Sequence, residues 1–302
     1  MTSSKAEPIF ATSITVGDLD AIDIKHPAFS ARVFLQGAHL THFAPTGESN
    51  WLWLSPDTRF TPGKAIRGGI PVCWPWFGDP ARNPPAVVHR IASSQAHGFA
   101  RATPWTLLDI IESEDSVELA LTLDAADVSG KEASREHGDW PLRGEIRFRF
   151  SQAQCVVTLT THNTGQTDIT YTEALHTYLP SDAVDSTALA GLDGVTYTDT
   201  LDDWREKTQS GPVRFEGETD RIYQGSSPIL VQAPGVTTRL ETQGSLSTVV
   251  WNPGPEKAQR LSDFPDAAWK TMLCVETANA YPDCVRLMQG QSHTTELVLT
   301  RE

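Results

Sequence analysis

Apolar and polar residues alternate with a period of two along much of this chain. Val117, Leu119, Leu121 and Leu123 are separated by Glu118, Ala120 and Thr122, and Ile146, Phe148 and Phe150 by Arg147 and Arg149. That period sends successive side chains to opposite faces of an extended strand, one toward a core and one toward water. Cys155 to Thr161 follows after a tight turn at Ser151 to Gln154, which predicts a hairpin. Strand character also marks Ala28 to Leu35, Trp51 to Leu54, Ile169 to Leu179, Ile229 to Gln232, Val236 to Leu240, Thr248 to Trp251, Met272 to Thr277 and Thr295 to Thr300. Helical signals are weak: Asp202 to Gln209, Pro255 to Leu261 and Asp266 to Lys270 each predict a turn or two. No fixed-period repeat, low-complexity tract or Gly/Ser- or Pro-rich linker divides the chain. The expected fold is all-β, a stack of mostly antiparallel sheets in one domain over residues 1–302, with the order of about the first dozen left open.

Composition narrows the function classes. Apolar residues make up 39% and charged residues 21%, enough apolar material for a core. A net charge of −14 argues against nucleic acid or an acidic membrane as partner, so an anionic small molecule needs a local cluster of cations. Cys73, Cys155, Cys274 and Cys284 lie far apart with no C-x-x-C pair, which favours a reducing compartment over a zinc ribbon. Met1 to Pro8 lacks a signal-peptide core, and no run reaches the roughly 18 apolar residues of a membrane helix. A cytoplasmic protein is expected; an acidic, patch-free surface is compatible with a monomer.

The segment Lys64 to Arg101 meets the need for cations. It holds Arg67-Gly68-Gly69-Ile70-Pro71-Val72-Cys73-Trp74-Pro75-Trp76-Phe77-Gly78 and His97-Gly98-Phe99-Ala100-Arg101. Glycine permits close backbone approach to a ligand, and a planar guanidinium grips phosphate or carboxylate with parallel hydrogen bonds. One such signature is more often a solvated loop; two in one segment point to an anion site.

Within Ile169 to Leu179, an extended backbone puts Ile169, Tyr171, Glu173, Leu175, Thr177 and Leu179 on one side and Thr170, Thr172, Ala174, His176 and Tyr178 on the other. The second face is polar without charge, as in a sugar-sized cleft. Glu173 and His176 point apart, and a lone strand histidine is more often structural, so His176 needs a partner. Glu276 is the best candidate: it ends the apolar run Met272-Leu273-Cys274-Val275, where a carboxylate is out of place unless satisfied or used. Burial raises such a pKa and a nearby arginine lowers it. On spacing alone a solvent-facing strand-end glutamate weighs equally. Asn279 holds a ligand hydroxyl or shapes the turn before Pro282. His39 and His42, hemmed in by Gly37 and Pro45 without a carboxylate nearby, make a poor metal site. Asp220 reads as surface charge, and neither a G-x-S-x-G elbow nor a P-loop occurs.

Five signatures in this order resemble the aldose 1-epimerase (galactose mutarotase-like) superfamily, and more closely the D-hexose-6-phosphate mutarotases: Arg67-Gly68-Gly69-Ile70-Pro71 with Phe77-Gly78, His97-Gly98-Phe99-Ala100-Arg101, Ala174-Leu175-His176-Thr177-Tyr178, Asp220-Arg221-Ile222-Tyr223 and Val275-Glu276-Thr277-Ala278-Asn279. The resemblance runs from about Phe29 to Leu299. It implies a β-supersandwich that holds a phosphosugar in an open cleft and uses neither metal nor organic cofactor. By that likeness His176 is the general acid, Glu276 the general base, Arg67 and Arg101 phosphate ligands, His97 a sugar or ring-oxygen contact and Asp220 a hydroxyl ligand. The chain departs from the eukaryotic pattern at Ala96, where glutamine is expected; Gln95 substitutes only if it turns inward. Besides interconversion of hexose 6-phosphate anomers, three readings stay open: a mutarotase for free aldoses, a non-catalytic carbohydrate-binding protein, and a structural β-sandwich.

Overall fold

The computed structural model describes residues 8–128, 137–226 and 228–302. Two large antiparallel sheets dominate. A nine-stranded sheet runs in the order Val213–Arg214, Ala188–Ala190, Ile229–Ala233, Val236–Gln243, Ser292–Arg301, Cys155–Asn163, Leu142–Ser151, Ser116–Asp124 and Thr106–Glu112. An eight-stranded sheet carries Arg205–Thr208, Thr196–Asp199, Thr219–Tyr223, Ser247–Asn252, Met272–Asn279, Glu173–Leu175 and Val72–Cys73, with Tyr178–Pro180 also paired to Met272–Asn279. A four-stranded meander from Ala11–Val16 to His39–Pro45 and a two-stranded pair, Ile169–Tyr171 with Val285–Leu287, complete the architecture. One apolar cluster extends from Ala11 to Leu299 and joins these layers, so the described residues share a core.

The alternating segments fold as their pattern predicts. In Leu142–Ser151 and Cys155–Asn163 every second residue is buried, and Phe150 faces Cys155 across the predicted hairpin. Met272–Asn279 is buried on both faces, as the central position of its strand requires. Leu273 and Val275 enter the inter-sheet core; Cys274 lies in a separate cluster with Trp53, Tyr178 and Trp251 on the opposite face, where Glu276 lines a cleft.

Some expectations need correction. The predicted strand Ile169 to Leu179 is three short strands, because its backbone changes partners: Tyr171 pairs with Val285, Ala174 with both Ala278 and Cys73, and Tyr178 with Cys274. Trp51 to Leu54 forms no strand beyond an isolated bridge from Leu54 to Gly68. Asp202 to Gln209 is not helical. Asp203 and Trp204 take positive φ of 51° and 58°, and Arg205–Thr208 then pairs with Thr196–Asp199, where Lys207 meets Asp199 at 2.7 Å. The other two helical signals hold, as a helix at Gly254–Ala258 and a 3₁₀ turn at Ala268–Thr271. At the N-terminus, the Glu112 carboxylate accepts the backbone N–H groups of Ile9, Phe10 and Ala11 at 2.6–2.9 Å.

Candidate active site

The eight-stranded sheet floors a cleft of about 730 Å³, whose lining includes Arg67, His97, Arg101, His176, Asp220 and Glu276. The strand Met272–Asn279 brings Glu276 to the floor. His176 sits where Glu173–Leu175 gives way to Tyr178–Pro180, its backbone N–H bonded to Pro71 O at 3.0 Å. Its Nε2 lies 3.4 Å from Glu276 Oε1. The ring stacks on Tyr178 with centroids 4.8 Å apart and meets Trp251 and His97 edge-on. Both groups are deeply buried, at 7% and 1% exposure, yet His176 Nδ1 and Glu276 Oε2 have no hydrogen-bond partner. Unmet capacity of this kind costs free energy and marks a place where a polar ligand is wanted.

The glycines act differently from expectation. A Cβ on Gly69 would stand 2.2 Å from Leu40 O, and one on Gly98 2.0 Å from Trp74 O. Both residues have positive φ, 65° and 66°, and His97 before Gly98 has 66°. They let the chain pack against its own backbone, and so aim the neighbouring Arg67, His97 and Arg101 side chains at the cleft. Gly78 lines the cleft and a Cβ there would meet no atom within 4 Å.

Electrostatics follow from dry surroundings beside two guanidinium groups. Burial lowers His176 to about 3, and Arg101 and Arg67 push the same way. Burial, then Arg101, also pushes His97 well below the usual imidazole range. Glu276 is raised well above a normal carboxylate, by burial first and then by Asp220, against the opposing pull of Arg101. Burial thus works against charge on both partners, favouring the neutral imidazole and disfavouring the ionised carboxyl. Asp220 is raised to about 6 by burial, with Lys257, 3.8 Å away, opposing.

Several candidates lie elsewhere. Glu173 points away from the cleft, as predicted, and accepts hydrogen bonds from Thr295 at 2.7 Å and Thr161 at 3.3 Å. Asn279 bonds Gly244 O and Asp283, shaping the turn rather than the cleft. His39 and His42 serve separate partners, the Gly68 carbonyl and the Ser30 hydroxyl. Gln95 is exposed and does not line the cleft; its carbonyl accepts from Trp76 Nε1 and its backbone N–H donates to Ser93 Oγ, while Ala96 O accepts from Arg101 Nη2 at 3.0 Å. Asp220, read from sequence as surface charge, belongs to the cleft wall. Lys257, Arg82, Trp204 and Trp251 also line it. Trp251 carried a strand signal only, and Lys257 lay in a segment read only as a helical turn, so nothing local tied either to a site.

Comparison with known proteins agrees with this geometry. The family model described as aldose 1-epimerase matches residues 20–300. An Escherichia coli (strain K12) protein provisionally described as a glucose-6-phosphate 1-epimerase is 37% identical over 268 residues, covering 87% of this chain and 84% of the relative. A Cenchrus ciliaris protein with the same description is 30% identical over 284 residues, covering 89% and 80%. The crystal structure of a provisionally assigned mutarotase from Salmonella typhimurium superposes with a TM-score of 0.83 at 29% identity, over 99% of this chain and 96% of that one. The chain belongs to the aldose 1-epimerase family, with that family's galactose mutarotase-like β-sandwich.

Proposed function

We propose that this protein is a hexose-6-phosphate mutarotase that interconverts the α and β anomers of glucose 6-phosphate or a close relative. The observation that carries the reading is the imidazole–carboxyl pair, 3.4 Å apart on the cleft floor with an unpartnered atom on each side chain, beside Arg67 and Arg101. The descriptions of the E. coli and C. ciliaris relatives point to the same substrate class.

Anomer exchange takes one proton from the anomeric hydroxyl and delivers one to the ring oxygen. The ring opens to the aldehyde, the end group rotates, and closure on the other face reverses both transfers. A pair that holds one exchangeable proton between two buried groups serves each direction without net change of charge. The imidazolium expected of His176 as general acid is not its resting form, because burial first, and then the Arg101 and Arg67 guanidinium groups, oppose it. A phosphate dianion held by Arg67 and Arg101 offsets the guanidinium part of that opposition, and a proton shifted from Glu276 to His176 then leaves the imidazolium as acid and the carboxylate as base. His97 and Asp220 are read as ring and hydroxyl contacts.

The test is exchange of ¹³C-labelled glucose 6-phosphate anomers followed by NMR. Catalysis well above the spontaneous rate is expected, falling by roughly 10²- to 10⁴-fold in Glu276→Gln and in His176→Ala. Phosphosugar binding by calorimetry should persist in both. Wild-type exchange no faster than buffer alone would leave a binding protein as the better description.

A further inference from the structure

One buried residue beside the catalytic pair is not used by proton transfer. Cys274 lies two residues before Glu276 on the same strand, so both side chains leave the same face. Its thiol is fully buried beneath Tyr178 and Trp251. One ligand atom each from His176, Cys274 and Glu276 lie within 4.8 Å of one another. Three points so spaced share a centre no farther than about 2.8 Å from any of them, against zinc bonds of about 2.0–2.3 Å to nitrogen, oxygen and sulfur. Sub-ångström side-chain adjustment closes the difference.

We propose that His176, Cys274 and Glu276 form a zinc-class cation site, through which the free metal ion reversibly displaces the sugar. Sulfur, imidazole and carboxylate together select a borderline-soft, tetrahedral ion over magnesium or calcium, which prefer oxygen alone. The unpartnered Glu276 Oε2 and His176 Nδ1 are independent signs that the trio's polar capacity is not consumed within the fold. Only three protein ligands are supplied, which leaves the fourth tetrahedral position to solvent. Binding replaces the Cys274 thiol proton, and any proton that burial holds on the Glu276 carboxyl, by the metal ion; both leave to solvent and no electron transfer is involved. Arg67 and Arg101 repel any cation here, so the ion is an exchangeable competitor and not a resident cofactor. The site itself rests on three side chains and not on the identity of the sugar, so it can be tested apart from the reaction.

The direct probe is cobalt chloride added to the metal-free full chain, read by absorption. A near-ultraviolet thiolate-to-metal band is expected in wild type and absent in Cys274→Ser, and zinc chloride should abolish it by competition. In the exchange assay, zinc at about ten times its measured dissociation constant should slow turnover at low substrate roughly tenfold. Raising the phosphosugar concentration should restore the rate. Cys274→Ser is judged against its own zinc-free rate and should lose most of this response; its melting temperature verifies the fold. Should that variant fail to fold, Glu276→Gln supplies the second arm, weakening cobalt binding without reference to activity. A missing thiolate band, inhibition that excess substrate does not relieve, or unchanged inhibition in Cys274→Ser overturns the proposal. If wild type shows no exchange activity but gives the band, the function assigned above fails and the metal site stands.

Discussion

Arg67→Gln separates recognition of phosphate from chemistry on the ring. Arg67 is half-buried on the cleft wall, with Nε 3.4 Å from Ser262 O and a side-chain hydrogen bond to Tyr178, and its remaining donors face the cleft. Glutamine keeps a donor for that carbonyl while removing the charge. A charge-assisted hydrogen bond contributes about 1.5–3 kcal/mol, or roughly 10- to 150-fold in affinity. Partial exposure screens the interaction, so the lower end, about tenfold, is expected in KM for glucose 6-phosphate. Glucose, which lacks the phosphate, should change no more than about twofold. Removing the cation also relieves part of the field that lowers His176, so the acid limb of the pH profile should move upward. Anomer exchange by NMR on both sugars supplies the numbers. An equal loss on glucose and its phosphate would show that Arg67 holds the fold or the ring; no loss on either would remove it from the phosphate site.

Three further expectations concern stability. His39 is lowered from 6.5 to about 4 by burial, so the unfolded chain binds its proton first as pH falls. The contribution is complete above 6.5 and shrinks toward pH 4 by about 1.4 kcal/mol per unit, about 3 kcal/mol in all. Urea unfolding across that window should show a flatter pH slope in His39→Gln. Glu173 behaves oppositely: burial raises it from 4.5 to about 7, so its contribution is complete below 4.5 and lost as pH rises through 7. Glu173→Gln should therefore melt progressively higher than wild type as pH climbs from 4.5 to 8, and a gap that stays constant would contradict the assignment. Gly98→Ala meets both a positive φ and the Trp74 carbonyl; it should cost upwards of about 1–3 kcal/mol and weaken sugar binding through the displaced His97 and Arg101. A melting temperature equal to wild type would refute that.

Much of the fold was legible because a two-residue period needs no knowledge of neighbours. Val117 to Leu123 and Ile146 to Phe150 declare one buried face each, and the hairpin at Ser151 to Gln154 follows from chain proximity. What escaped depends on partners distant in sequence. Ile169 to Leu179 reads as one strand until Pro71 O claims the His176 N–H and the backbone breaks there. Asp202 to Gln209 reads as a turn of helix until Thr196–Asp199 captures Arg205–Thr208 as an edge strand. Asp220 looked like surface charge on its acidic neighbours Glu216 and Glu218, and only the family resemblance marked it for the cleft, where pairing with Trp251 sets it in the wall. The arginine signatures were read correctly as belonging together, but for a partly wrong reason: Gly69 and Gly98 crowd backbone rather than ligand.

Two glutamates, equally buried, differ in whether the fold itself satisfies them, and only the second fits the acid–base role proposed above. Glu173 and Glu276 are each 1% exposed on adjacent strands of one sheet, and burial raises both. Glu173 faces the nine-stranded sheet, where Thr161 and Thr295 hydroxyls occupy both of its oxygens. Glu276 faces the other way, with one oxygen toward an imidazole and the other toward nothing in the fold. Glu173 is thus a satisfied group whose burial costs more stability as pH rises, so its replacement by glutamine gains on wild type toward high pH. Replacing Glu276 removes an unsatisfied one, whose missing hydrogen bond costs the fold free energy that a ligand can restore. Stability measurements should thus respond strongly to pH in the first comparison, while in the second the larger effect should lie in turnover, and a reversal of those two sensitivities would undo the division between core and cleft on which the assignment rests.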